Sequence, residues 1–228
     1  VAIGEVWLCG GQSNMGWSVA NSFEAENEAE VDLPDFRIFR SSREHWHEPL
    51  EIQRDRRSRW KPCDPETAAE TSAVAYYFGK KLHEELGVPV GLIQQAYAGT
   101  PIEGWMPWEI QKDDPRAIAH RARYQETADR QARSGATIEG ALSAWEKELV
   151  AYHARVDAGD TIENGRILPP PFIKQPATFG HQFPGNQFNA MIYPIRPYGI
   201  RGAIWYQGER NSKNVPQAFH YRNQLANL

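Results

Sequence analysis

Short apolar runs punctuate a mostly mixed chain. Apolar residues dominate positions 3–9 (IGEVWLC), and the run stops at Gly10–Gly11, as a buried strand followed by a sharp turn would. Residues 35–40 (DFRIFR) alternate and predict a second strand. In PCDPETAAETSAVAYYFGKKLHEELG, Ala73, Val74, Tyr77, Phe78, Lys81 and Leu82 recur at helical spacing. Pro65 marks the start of that helix and Gly87, with Pro89 beyond, its end, so one helix is predicted over 66–86. VPVGLIQQAYAG is a third apolar run, and IRGAIWYQGERN a fourth strand that ends at Gly208. NVPQAFHYRNQLANL opens a last helix. This strand–helix–strand rhythm, with glycines at the strand ends, predicts an α/β layer fold around a parallel sheet.

Two stretches break the rhythm. Residues 108–160 are charged, polar and helix-prone, and read as two helices with Ser134–Gly135 between them. They predict a helical hairpin inserted, over about 108–168, into a single domain spanning 1–228. Residues 169–186 are rich in Pro and Gly and read as an irregular loop, and QFNAMIYPIRPYG as a short packed helix limited by its prolines.

Composition narrows the classes. A chain of 228 residues, 41% hydrophobic, can bury a sizeable core without disulfide staples. Net charge is −4, and the densest basic cluster, Arg54, Arg56, Arg57 and Arg59, is broken by Asp55, so nothing marks a nucleic-acid surface. No apolar run approaches the roughly 20 residues of a membrane span. VAIGEVWL lacks the features of a signal peptide. Cys9 and Cys63 do not make a disulfide framework, and no cysteine spacing of metal-site type occurs.

If the sheet is parallel, GGQSN, AYAGTP and YQGERN all lie on its carboxyl rim, where open α/β sheets bind ligands. Ser13 then stands on an exposed turn, suited to a nucleophile and best placed at a helix N-terminus. The plain alternative is that it caps a helix. The backbone N–H of Gly99 and the side-chain amide of Asn211 are donors of the kind an oxyanion site needs. Asn211 could instead cap the next helix. Gln12, Gln207 and Glu209 are candidates for substrate contact, with structural or orienting roles favoured over chemistry for Gln207 and Glu209. Trp105 and Trp108 suit either sugar stacking or core packing.

GEVWLCGGQSNM, TSAVAYYFGKKL, VPVGLIQQAYAGTPIEGW, FNAMIYPI and GAIWYQGERN, in this order, resemble the successive blocks of sialate O-acetylesterase-like carbohydrate esterases of the SGNH (GDSL-type) hydrolase superfamily. The resemblance runs from residue 4 to about 225. It implies a flavodoxin-like three-layer α/β/α fold. It implies Ser13 as nucleophile, with Gly99, Asn211 and the Ser13 N–H as oxyanion hole. The implied reaction is removal of O-acetyl groups from carbohydrates, sialic acid or xylan type, through an acetyl-serine intermediate, with no metal or organic cofactor. An exported, periplasmic or lysosomal setting is implied too. The chain departs from the pattern at Ala98–Gly99, where Gly-Gly is common, and at Arg210, where a small residue is usual. Arg210 either brings positive charge to the cleft or points to solvent.

The resemblance also implies a base in an Asp-x-x-His block, and these 228 residues contain none. The chain stops soon after the third block, which leads to the expectation of a fragment or one part of a split domain. An apolar edge would then be exposed, favouring association. Of the seven histidines, His181, in the Pro/Gly loop, is the candidate replacement base, and His220 reads as structural. His45 and His47 form a conceivable metal pair without a third ligand. Without a base, the alternative is an inactive or carbohydrate-binding remnant.

Overall fold

The computed structural model describes residues 2–23, 25–54, 58–133, 138–159 and 176–228. Five strands form one sheet: β1 (Glu5–Gly11), β2 (Leu33–Arg40), β3 (Trp60–Cys63), β4 (Val90–Ala96) and β5 (Gly202–Tyr206), in the order β3-β2-β4-β1-β5. β2, β4, β1 and β5 run parallel, and β3 adds an antiparallel edge. β4 is buried along its whole length because strands flank it and layers cover both its faces, which is why it opens as an apolar run, its two buried glutamines being bonded to the Ser72 N–H and the Met191 carbonyl. In β2 only Phe36 and Ile38 are buried, which fits its alternation.

One layer rests on Cys9, Phe36, Leu92 and the helices α1 (Pro65–Glu70) and α2 (Ala73–Leu86). α2 seats closely at Gly79, where an added Cβ would stand 2.7 Å from Phe36 and 2.9 Å from Leu92. The opposite face carries a second core of Trp105, Ala190 and Met191, with Tyr97 and Trp205 against it. Trp105 belongs to α3 (Ile102–Trp105), and Phe188–Ile192 is a π-helical turn continued by a 3-10 turn at Tyr193–Ile195. Helical layers on both faces of a central, mostly parallel sheet match the α/β class read from the sequence.

The helix predicted over 66–86 is two helices. Asp64 caps α1 through the Thr67 N–H at 2.7 Å, and Ser72 begins α2 by accepting the Ala75 N–H. The break is tertiary in origin. The Val19 N–H donates to Thr71, the Ala73 N–H to Trp17, and the Ser72 N–H to the Gln94 side chain. These bonds hold the segment after β1 against the helix pair. β3 was not foreseen either. It is four residues long, contains Pro62 and lies at an edge, where proline is tolerated.

The stretch 108–160 is helical, as predicted: α4 (Trp108–Gln111), α5 (Pro115–Arg133) and α6 (Ile138–Asp157). Ser134–Gly135, Arg56, Arg57 and residues 160–175 lie outside the described residues. α5 is anchored by buried Ala117 and Ala128, whereas α6 buries none of its described side chains. The last helix, α7, is Val215–Leu225. No helix among the described residues is long and apolar enough to cross a membrane.

Candidate active site

The three glycine-ended turns meet on one rim because their strands end level. Gly11 pairs with Ala96 on one side and Tyr206 on the other. The Tyr97 N–H donates to Gly11 at 3.0 Å, and the Gln12 N–H to Tyr206 at 3.1 Å. Only glycine fits position 11: φ is +150°, and a Cβ would stand 2.1 Å from the Tyr206 carbonyl oxygen.

Ser13 lies just beyond this junction and is exposed. It caps no helix. It stands in a hydrogen-bonded turn whose Gly16 N–H donates to both the Gln12 and Ser13 carbonyls at 3.0 Å. The plain cap reading therefore fails, and so does the expected helix N-terminus. Met15, fully buried against Ser72, pins the turn while Ser13 and Asn14 stay outside. Asn14 Nδ2 donates to Glu209 Oε1, so the first and third turns clasp each other at the surface.

Beneath the rim runs a buried polar network. Gln207 Nε2 donates to Asn211 Oδ1 at 2.9 Å and the Thr100 carbonyl at 3.0 Å, and approaches Gln12 Oε1 at 3.3 Å. Asn211 has no exposed surface: Oδ1 accepts the Ile102 N–H and Nδ2 donates to Glu103 Oε2, both at 2.8 Å. Gln224 on α7 donates to the other Glu103 oxygen at 3.1 Å. Asn211 does not cap α7, whose N-cap is Asn214. Trp105 is core, 1% exposed, with its N–H on Thr100. Trp108 instead carries Arg121 over its ring at 4.2 Å.

Gly99 adopts φ +74°, left-handed, and its carbonyl accepts from Gln182 Nε2 at 3.2 Å. Gln182 Oε1 in turn accepts from Arg210 and Tyr124, each at 2.6 Å. Arg210 thus turns towards the 176–186 loop and braces it. That loop also brings in His181, whose Nε2 lies 3.9 Å from the Cβ position of Gly99. The His181 ring stacks on Tyr97 at 5.0 Å, and Tyr97 shares a 3.2 Å hydrogen bond with His45. Burial, then Arg210, holds His181 below the ordinary histidine value. Burial, then His181 and Arg54, does the same for His45 against a weaker opposing pull from Glu44. His47 packs apart from His45, on Trp46 and Phe179. Among the described residues no three metal-ligating side chains gather. His220 pairs with Asp114 at 2.6 Å.

The rim therefore brings Ser13, Gly99 and Glu209 to the surface and sets Gln12, Gln207 and Asn211 beneath it. Glu103, Gln224, Asn14 and Gln182 were not singled out from the sequence. Glu103 stands inside the quoted block TPIEGW, but its partner Gln224 is 121 residues away.

A family model described as carbohydrate esterase, sialic acid-specific acetylesterase, matches residues 3–145. Among curated proteins, the chain is 28% identical to the sialate O-acetylesterase of Rattus norvegicus over 93% of its own length and 36% of the relative's. It is 26% identical to that of Mus musculus over 98% of the chain and 41% of the relative. The chain thus spans well under half the length of these curated relatives. A crystal structure of a carbohydrate acetylesterase from Xanthomonas citri superposes with a TM-score of 0.65 at 25% identity, over 98% of this chain and 36% of that one.

Proposed function

Since the chain belongs to the carbohydrate esterase family of sialic acid-specific acetylesterases, we propose that it carries the nucleophile-bearing part of a serine esterase that removes O-acetyl groups from carbohydrates. The observation that carries this reading is Ser13, an exposed hydroxyl held on a rigid turn at the carboxyl rim, beside the left-handed turn at Gly99. Ser13 Oγ attacks the acetyl carbonyl carbon. The carbon–oxygen bond to the sugar breaks, the sugar hydroxyl leaves with a proton, and acetyl-serine remains. Water then attacks the acetyl group, and acetate and free Ser13 result. The N–H groups of Ser13 and Gly99 supply the donors for the developing oxyanion, while Asn211, with no exposed surface, braces the floor beneath them.

Glu103 holds the Asn211 amide at 2.8 Å and so fixes its plane. Gln12, Gln207 and Glu209 position the rim and its substrate. His181 is the base candidate within this chain: it sits against Gly99, and its lowered pKa keeps it neutral, able to take a proton. One observation favours a second reading, carbohydrate binding without turnover. The Ser13 hydroxyl makes no hydrogen bond to any described histidine.

Acetate release from 4-nitrophenyl acetate and an acetylated sugar separates the readings. Release that disappears in Ser13→Ala and falls at least about a hundredfold in His181→Ala supports the esterase with its base in this chain. Release lost in Ser13→Ala but unchanged in His181→Ala rejects His181 alone. No release above Ser13→Ala, with the acetylated sugar still bound, rejects turnover by this chain.

A further inference from the structure

Beside the Glu209–Asn211 turn, α5 and α7 enclose an open cavity of about 520 Å³. Arg116 and Arg123 reach it from α5, and Arg210 and Lys213 from the other wall. Among the described residues, none of these four cations forms an ion pair. The carboxylates nearby are engaged. Glu103 is 5% exposed and bound to Asn211 and Gln224, while Asp114 is bound to His220. In a chain of net charge −4, four positive groups around one cavity run against the average, and among the described residues its one lining carboxylate, Glu103, is turned to Asn211 and Gln224 rather than to any of them. His120, also in the wall, feels both signs: burial lowers its pKa most, Glu103 opposes this, and Arg123 and Arg210 each depress it further. Asn214, the N-cap of α7, lines the same cavity, so the positive end of that helix adds to the field.

We propose that this cavity is an anion subsite that holds an oxyanion, carboxylate or phosphate, between the guanidinium forks of Arg116, Arg123 and Arg210, with Lys213 as a further point charge. Planar guanidinium groups match such oxygens two at a time. Arg210 ties the subsite to the rim, since it also holds Gln182, which holds Gly99. An anion bound here therefore steadies the turn that the proposed reaction uses. That the anion is an acid group on the acetylated carbohydrate itself rests on the esterase reading, whereas the subsite does not.

The test is titration of the Ser13→Ala chain at low salt with glucuronate, inorganic phosphate and, as control, glucose, read by calorimetry and by the His120 ring signals in NMR. Glucuronate or phosphate is expected to bind, glucose not. Affinity should fall about tenfold or more in Arg116→Gln/Arg123→Gln and drop steeply between about 20 and about 200 mM salt. The His120 pKa should rise on saturation. Lys213→Gln, a fully surface change, should weaken binding in the same direction and guards against misfolding of the double variant. Tighter binding of glucuronate than phosphate assigns the subsite to a sugar acid, and equal or tighter phosphate binding assigns it to a free oxyanion. Absence of binding by both anions, or binding indifferent to all these variants, overturns the proposal. Acetate release by the unsubstituted chain is measured separately. Glucuronate binding without any acetate release would sink the esterase reading and leave the subsite standing.

Discussion

Around Ser13, neighbours bear the structure and leave the serine free. Gly11 and Met15 fix the turn, and Asn211 fixes the floor, so stability and activity separate by residue. Ser13→Ala removes an exposed hydroxyl that has no hydrogen-bond partner among the described residues and is expected to change stability by less than about 0.5 kcal/mol while ending acetate release. Asn211→Ala leaves the buried Glu103 oxygen and the Ile102 N–H unpartnered and should cost about 3 kcal/mol as well as activity. The two glycines differ in the same way. Gly99→Ala faces open space, its nearest contact 3.9 Å away, and should cost only the left-handed backbone, about 1–2 kcal/mol. Gly11→Ala drives a methyl into the Tyr206 carbonyl and should be far more damaging. Urea denaturation of the four variants checks the order, and equal losses at Gly11 and Gly99 would contradict it. That Ser13 and Gly99 would come to one rim was legible from strand-end glycines and motif order, whereas the burial of Asn211 beneath it was not. His181 and Gln182 were less so, because a Pro/Gly loop carries no periodicity that says which rim it will reach.

At the scale of elements, burial decided what could be read. β1 and β4 announced themselves as apolar runs, since a parallel strand within layers has little polar face to show, and β5 did so although it lies at the sheet edge with no fully buried residue. β3 did not, being short, proline-bearing and peripheral. The division between α1 and α2 was hidden for another reason. Thr71 and Ser72 are tolerable inside a helix, and it is the hydrogen bonds that Thr71 accepts from the Val19 N–H, and that Ala73 and Ser72 donate to Trp17 and Gln94, that make the chain break there. Ser72→Ala leaves those main-chain bonds in place but should still cost more than the ~1 kcal/mol of an ordinary N-cap, because the buried Ser72 hydroxyl also donates to Met15 Sδ at 3.4 Å, the side chain that pins the Ser13 turn. The expected signature is loss of acetate release together with a lowered urea midpoint. A midpoint change alone would limit Ser72 to its helix. On the opposite side of α2, Gly79→Ala puts a methyl within 2.9 Å of Phe36 and Leu92, and overpacking of about 1–3 kcal/mol should appear as a lower midpoint with activity intact.

For the whole molecule, acidity is the lever. Burial is the leading cause that holds His45, His120 and His181 below their ordinary value of 6.5. As pH falls through about 6.5, the unfolded chain takes up protons before the folded one, so stability declines until the depressed folded values are reached. Melting temperature should fall steadily from pH 7 to pH 5, and replacing His181 by Gln should flatten that fall. A melting temperature constant over this range would contradict the burial assigned to these rings. The network under the rim has a different kind of consequence, one written in descent rather than in energy. Gln12, Gln207, Asn211, Glu103 and Gln224 share one chain of donors and acceptors across more than two hundred residues of sequence. A change at one of them strands the next, so single substitutions are barred where compensated pairs are open. These five positions should drift as a set among homologous chains, each lineage keeping the whole pattern or replacing neighbouring members together.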